Sequence, residues 1–240
     1  MVTGAACGLG AEVAHTLAGD HTRLIGLHSH APHADTVELA ARIEDAGVET
    51  VLLPFDLVEH PLSSSRQIVE TFLDAAESRT GRREVHVVVN NAGVADRDEF
   101  SHVMQHLLAL SRLNLAAPMF IVKALLPYLA SNGRVINIST SLNHVAAPYQ
   151  VACIANTAAL DSMTTSLASV LAERDATINA VLPGYDERMQ SVHRSIGTAP
   201  VIAQIVRFLA SDDAHLITGQ LIDAPAYDGP LNRVSPQCAT

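Results

Sequence analysis

Thr3-Gly4-Ala5-Ala6-Cys7-Gly8-Leu9-Gly10 runs straight into an apolar helical pattern that begins Ala11-Glu12-Val13. Glycines spaced this way let the chain turn tightly. They also let an anionic group approach backbone N–H groups where a helix begins and its dipole is positive. Taken alone, the stretch reads equally well as a glycine-rich strand-to-helix turn. Only Met1 and Val2 stand before it, whereas a central strand usually has about five residues. The strand is therefore either cut short or begins before Met1.

Outward from this turn, short β-branched runs alternate with longer helical patterns. The runs are Thr22–Leu27, Glu49–Pro54, Val85–Asn90, Arg134–Ser139, Thr177–Leu182 and Gln220–Ile222. Apolar faces at helical spacing fill the intervals: Ala11–Ala18, Ala34–Ala46, Ser65–Ser78, Phe100–Leu129, Cys153–Glu173 and Val201–Ala210. Strands that read as continuous Val/Ile runs are buried on both faces. The pattern predicts an α/β fold, a doubly wound Rossmann-type parallel sheet with helices on both faces. No repeat or change in composition divides the chain, so residues 1–240 form one expected domain.

Composition narrows the function. The 240 residues carry 15 Lys+Arg against 25 Asp+Glu, a net charge of −10. That argues against nucleic acid or an anionic membrane as partner, because both bind basic surfaces. Cys7, Cys153 and Cys238 are too few and too far apart for a disulfide framework, which points to a reducing compartment. The most apolar stretch, Leu113–Ala130, is interrupted by Asn114, Pro118, Lys123 and Pro127 and reads as short of a membrane span. With no signal-peptide pattern at the start, the cytoplasm is the expected location.

Further motifs recur in register with the strands. Asp56-Leu57 follows one run, Asn90-Asn91-Ala92-Gly93 ends the next, Asn114 lies in the long helix, and Asn137-Ile138-Ser139-Thr140 ends another run. Asn179-Ala180-Val181-Leu182-Pro183-Gly184 and Ile217-Thr218-Gly219-Gln220 complete the series. In this order, across nearly the whole chain, they resemble the short-chain dehydrogenase/reductase family. The resemblance implies a nicotinamide dinucleotide in the crevice at the carboxyl ends of the strands and a small-molecule substrate. Gly4, Gly8, Leu9 and Gly10 would then cradle the pyrophosphate. Asp56 and Leu57 would meet the adenine, Asn91, Ala92 and Gly93 the adenosine ribose region, and Pro183 and Gly184 the nicotinamide. The second strand ends Leu27-His28-Ser29-His30, without the carboxylate that an NAD enzyme offers the ribose 2′-hydroxyl. His28, Ser29 and His30 can all donate hydrogen bonds to a 2′-phosphate, so NADP(H) is favoured over NAD(H). His28, His30 and His33 have no carboxylate partner in the loop, and no metal is expected.

The resemblance fails at the catalytic pair. The family uses a Tyr as general acid and, four residues later, a Lys that lowers the tyrosine pKa and holds the ribose. The 22 residues from Thr157 to Asn179 fit the family's interval from that Lys, and Thr157-Ala158-Ala159-Leu160 matches Lys-Ala-Ala-Leu. Cys153 therefore stands at the Tyr position and Thr157 at the Lys position. Tyr149 lies four residues too early and has Cys153, not Lys, as its fourth neighbour. Asn114, Ser139 and Thr140 remain as hydrogen-bonding groups. Cys153 reads as either a nucleophile or a small buried apolar residue, and His144 as either an acid or a solvated loop histidine. Only Tyr185 to Ala199 separate Pro183-Gly184 from the helix opening at Pro200, and Ala224-Pro225-Ala226-Tyr227 replaces the family's Val-Asp-Gly-Gly.

Reducing a ketone produces an alkoxide that needs a proton, the work of the missing Tyr. Hydride transfer to an iminium gives a neutral amine and needs none. The site is thus coherent as an NADP(H)-dependent imine or iminium reductase of secondary-metabolite type. It also bears a weak resemblance to fungal alkaloid-pathway reductases that couple reduction to an intramolecular Diels–Alder cyclisation. Two alternatives stand beside it: a dinucleotide-binding pseudoenzyme or sensor, and a ketoreductase with an acid recruited from elsewhere. Asp161, four residues after Thr157 and eight after Cys153, reads as a carboxylate near the same crevice that favours a cationic substrate, or as a helix carboxylate at a subunit contact or in solvent. The helices Phe100–Leu129 and Cys153–Glu173 correspond to those through which the family associates, so a homodimer or homotetramer is expected.

Overall fold

The computed structural model describes residues 1–19, 21–94, 103–144, 150–184 and 199–224, with backbone alone for 103–106 and 143–144. Strands β1 (Leu24–Ser29) and β2 (Glu49–Pro54) pair in parallel, as do β3 (Val85–Asn90), β4 (Leu129–Ile138), β5 (Thr177–Pro183) and β6 (Leu221–Ala224) in that order. Met1–Thr3 joins the two groups. Val2 bridges Leu27 on one side and Val89 on the other, both in parallel sense. The Val2 N–H donates to the Gly26 carbonyl (2.9 Å) and the His28 N–H to the Val2 carbonyl (3.0 Å). Across the other edge, the Thr3 N–H donates to the Val89 carbonyl (3.0 Å) and the Val89 N–H to the Met1 carbonyl (2.9 Å). Three residues thus serve as the central strand, giving the order β2-β1-(Met1–Thr3)-β3-β4-β5-β6. The chain crosses over at this central segment, and in such sheets a crevice opens there, beyond the carboxyl ends of the strands.

Two cores cover the two faces of the sheet. Helices α1 (Gly8–Leu17), α2 (Ala34–Asp45) and α7 (Ala199–Ala210) pack Val13, Leu39, Ile43, Ile202, Val206 and Leu209 against Ile25, Leu27 and Val89. On the opposite face, α3 (Pro61–Thr80) and α5 (Ala117–Leu125) bury Ile68, Phe72, Leu73, Ile121 and Leu125 against Leu53 and Val88. The helix α6 (Val151–Ala172) extends that face over β5 through Leu171 and Ile178. Every residue of β5 is buried, as a strand covered by helices on both faces requires.

The long helical pattern is not one α-helix. It divides into α4 (Val103–Ser111), a π-helical turn at Arg112–Ala116, α5, and a short 3-10 turn at Leu126–Tyr128. Pro118 has no N–H to give the Asn114 carbonyl four residues back, so α-type bonding stops there. Leu129 already belongs to β4, five residues ahead of the expected start at Arg134. A register shift between Val85 and Val87 and a left-handed Asn132 (φ 67°) absorb the extra length. The stretch Leu107–Tyr128, with mean hydropathy 1.4, is long and apolar enough by length and composition to cross a membrane, which corrects the shorter reading above. In this fold its Ala117, Ile121 and Leu125 lie in the core.

Candidate active site

The glycine turn sits at the crossover, and its glycines are required there. Gly4 (φ 64°) and Gly8 (φ 56°) are left-handed. A Cβ on Gly10 would fall 2.1 Å from the Gly4 carbonyl oxygen and 2.5 Å from Asn91 Nδ2, leaving no room for any side chain. The turn is laced to the end of β3. Asn91 Nδ2 donates to the carbonyls of Thr3 (3.0 Å) and Gly4 (3.1 Å), and Thr3 Oγ1 accepts from the Asn91 and Ala92 N–H groups (2.9 Å each). Cys7, at the N-cap of α1, makes no side-chain capping bond, and no acidic residue lies in the first turn. The N–H groups of that turn are therefore left for an anion. Gly4, Gly8, Leu9 and Gly10 fit a dinucleotide pyrophosphate.

The adenosine side differs from expectation at His28. This residue is buried (2% exposed), and its Nδ1 accepts from the Gly4 N–H (3.1 Å). Nδ1 therefore holds a lone pair and the proton is on Nε2, which donates to the Phe55 carbonyl (2.9 Å). Burial pushes its pKa down to about 4. Both ring nitrogens are thus spent tying the turn to the chain beyond β2, and neither is left for a 2′-phosphate. The Ser29 hydroxyl donates to the Ala31 carbonyl (2.8 Å), and the His33 ring accepts from the Asp35 N–H (3.2 Å) at the start of α2. His30 is exposed, its Nδ1 3.5 Å from Asp56 Oδ1. That carboxylate accepts from the N–H groups of Val58 (2.6 Å) and Glu59 (3.1 Å). Desolvation pulls its pKa up, but these bonds and the neighbouring His30 and His60 outweigh it and hold it below the ordinary value. The Leu57 side chain is buried in the core, not presented to an adenine.

At the other end, the carboxyl termini of β3, β4 and β5 enclose a cavity with α6. Leu9, Asn90 to Val94, Asn114, Pro118, Ile138, Ser139, Thr140, Cys153, Thr157, Leu160 and Pro183 line it. Asn114 sits in the π-turn and clamps Val94, donating to its carbonyl (2.9 Å) and accepting from its N–H (3.0 Å). Thr140 Oγ1 accepts from the Leu142 N–H (3.2 Å). The Thr157 hydroxyl donates back to the Cys153 carbonyl (2.9 Å), and both residues are buried. The Gly184 N–H donates to the Ala224 carbonyl (2.6 Å), fixing the Pro183-Gly184 corner to β6.

Asp161 departs from expectation: it is buried, but it is not among the residues lining the cavity. Each step of four residues overshoots a full helical turn by about 40°, so two steps carry it about 80° around α6 from Cys153. Tyr149, residues 185–198 and Pro225-Ala226-Tyr227 lie outside the described residues, as does the His144 side chain. Sequence reasoning assigned no site role to Thr3, Asn90, Pro118 or Leu160, which also shape the turn and the cavity. Thr3, Asn90 and Leu160 stood inside the sequence motifs, and a Pro four residues after Asn114 signalled the break in the helix.

A family model described as short chain dehydrogenase matches residues 1–193. The chain is 31% identical to an uncharacterized oxidoreductase of Methylorubrum extorquens, over 93% of this chain and 94% of that one. Among solved structures, it superposes on the landomycin C-6 ketoreductase LanV, determined with bound NADP and rabelomycin. The TM-score is 0.83 at 31% identity, covering 94% of this chain and 93% of that one. The reductase LugOII, which catalyses keto-reduction at C1 during lugdunomycin biosynthesis, gives a TM-score of 0.85 at 31% identity, covering 93% of each chain. With the sheet order, the glycine turn and the cavity at the strand ends, these likenesses establish that the chain belongs to the short-chain dehydrogenase family and is an oxidoreductase.

Proposed function

We propose that this protein is an NADP(H)-dependent reductase of small organic molecules whose electrophile is an imine or iminium carbon. The observation that carries the reading is the cavity wall contributed by α6: Cys153 and Thr157, which we assign by sequence register to the family's Tyr and Lys positions, line it, and no Tyr or Lys is among the described lining residues. A dinucleotide held by Gly4, Gly8, Leu9, Gly10, Asn91, Ala92, Gly93, Pro183 and Gly184, with Asp56 at the adenine end, supplies hydride when bound. With the Ser29 hydroxyl donating to the Ala31 carbonyl, exposed His30 is the remaining candidate near the 2′ position, and the absence of a carboxylate at the end of β1 supports NADP(H). LanV, one of the similar structures, holds NADP.

The wall offers hydroxyls, a thiol and amides, groups that position a substrate without a tuned phenol to protonate an alkoxide. A substrate that is already cationic needs no such acid, because hydride leaves a neutral amine. The apolar part of the lining, Leu9, Val94, Pro118, Ile138, Leu160 and Pro183, is compatible with folding a flexible substrate for an intramolecular Diels–Alder cyclisation. Leu108, Met119 and Val170, exposed on α4, α5 and α6, support two-fold association into a homo-oligomer.

A second reading has one observation in its favour: both solved relatives named above are ketoreductases. Titration with NADPH and NADH, followed by turnover of a cyclic iminium and of a matched ketone, separates the readings. Tighter NADPH binding with reduction confined to the iminium supports the proposal. Ketone turnover at ordinary ketoreductase rates replaces it with a recruited acid, and cofactor binding without either turnover replaces it with a sensor.

A further inference from the structure

Two of the cavity's buried oxygens are left unsatisfied by the described residues. Asn90 is 2% exposed and Ser139 5% exposed, both line the cavity, and neither Asn90 Oδ1 nor Ser139 Oγ has a hydrogen-bond partner among the described residues. The direction of the Asn90 amide follows from a chain of bonds behind it. Thr164 Oγ1 lies 2.8 Å from the Leu160 carbonyl, and only the hydroxyl of that pair has a hydrogen, so Thr164 donates there. Its oxygen then accepts from Asn137 Nδ2 (2.8 Å), which leaves Asn137 Oδ1 to accept from Asn90 Nδ2 (2.8 Å). Turning Asn90 over would set its oxygen against the Asn137 oxygen. The chain therefore ends in a buried acceptor on a residue that lines the cavity, and turning the amide over would break it.

Several other polar side chains of the wall already make bonds within the fold. Both amide atoms of Asn114 are spent on Val94, Thr140 Oγ1 accepts from Leu142, and the Thr157 hydroxyl donates into its own helix. A buried acceptor without a donor destabilises a fold, so one held at a cavity wall by a three-residue polar chain points to a ligand that supplies the hydrogen. Resting on the iminium reading above, we infer that Asn90 Oδ1 and Ser139 Oγ seat the N–H of the substrate's protonated imine. They thereby select it over an N-alkylated cation of the same charge. A carbonyl oxygen suits this task because it accepts from N–H⁺ without competing for the proton, and the serine hydroxyl can turn a lone pair to the same group.

The test is equilibrium binding to the full chain saturated with NADP⁺, where no turnover occurs. The probes are 3,4-dihydroisoquinolinium, which has an N–H, and N-methyl-3,4-dihydroisoquinolinium, which has the same charge and ring but none. The wild-type protein should bind the N–H cation at least about tenfold more tightly. Ser139→Ala removes a hydroxyl with no bond in the described fold, so that variant folds, and it should cut the ratio at least about threefold. Asn90→Ala, checked for folding by circular dichroism, should cut it further. Equal binding of the two cations, or a ratio unchanged in Ser139→Ala, overturns the assignment while leaving iminium reduction standing if the N–H cation is turned over with NADPH. Failure of both cations to bind a protein that binds NADPH overturns the assignment and the iminium reading together.

Discussion

Replacing His28 with Gln should make the protein's stability less sensitive to acid, and the size of the effect follows from the burial of this ring. In the unfolded chain a histidine titrates near about 6.5, whereas in the fold desolvation lowers His28 to about 4. The folded state thus binds this proton less tightly than the unfolded chain. The stability it contributes is complete above about pH 6.5 and is lost as the pH falls toward 4. Two-state linkage over that interval gives about 3 kcal/mol in all, of which about 2 kcal/mol is lost between pH 7.5 and 5. Urea unfolding followed by circular dichroism at the two pH values should show the wild type losing about 2 kcal/mol more than His28→Gln. The same proton should reach the cofactor site, because a protonated Nδ1 can no longer accept from the Gly4 N–H. NADPH affinity of the wild type should therefore hold between pH 7.5 and 5, while stability is already falling, and drop only as the pH approaches about 4, where the folded ring takes up the proton. Parallel stability curves for the two proteins would refute the reasoning and mean that the ring is protonated, or solvated, in the folded state.

Three other outcomes are expected. Gly10→Ala, whose Cβ has 2.1 Å to the Gly4 oxygen, should weaken NADPH binding by at least about a hundredfold, or about 3 kcal/mol, measured by fluorescence titration. Ser139→Ala, in the absence of substrate, should raise stability by about 1 kcal/mol and Tm by about 2–4 °C, because it deletes a buried hydroxyl that has no partner among the described residues. Cys153→Tyr combined with Thr157→Lys should raise NADPH-dependent ketone reduction at least about a hundredfold, the lower range of what a positioned general acid contributes, with steady-state oxidation of NADPH as the measure.

The alternation of β-branched runs and amphipathic stretches was enough to locate β2 and β3 to the residue and to identify a doubly wound sheet, because burial of a strand or helix face imposes a period that is local in sequence. The glycine turn was equally legible, since left-handed φ angles and a 2.1 Å approach can be met only by glycine. The assignment of Cys153 and Thr157 to the family's catalytic positions rests on helix spacing and the distance to Asn179 alone; the structure adds that both residues line the cavity. What the sequence left open concerned partners far along the chain. Met1–Thr3 is a strand only because β1 and β3 offer backbone groups on both sides. His28 turns inward because Gly4 and Phe55 take both its nitrogens, and nothing in Leu27-His28-Ser29-His30 distinguishes that from facing a phosphate. Asp161 drifts away from the cavity because a four-residue spacing is not a whole helical turn. The open acceptor on Asn90 is set by Thr164, 74 positions away, through Asn137. A hydrogen bond has a direction, and that direction is decided by which atoms the tertiary fold brings within 3 Å, a relation that residue periodicity does not encode.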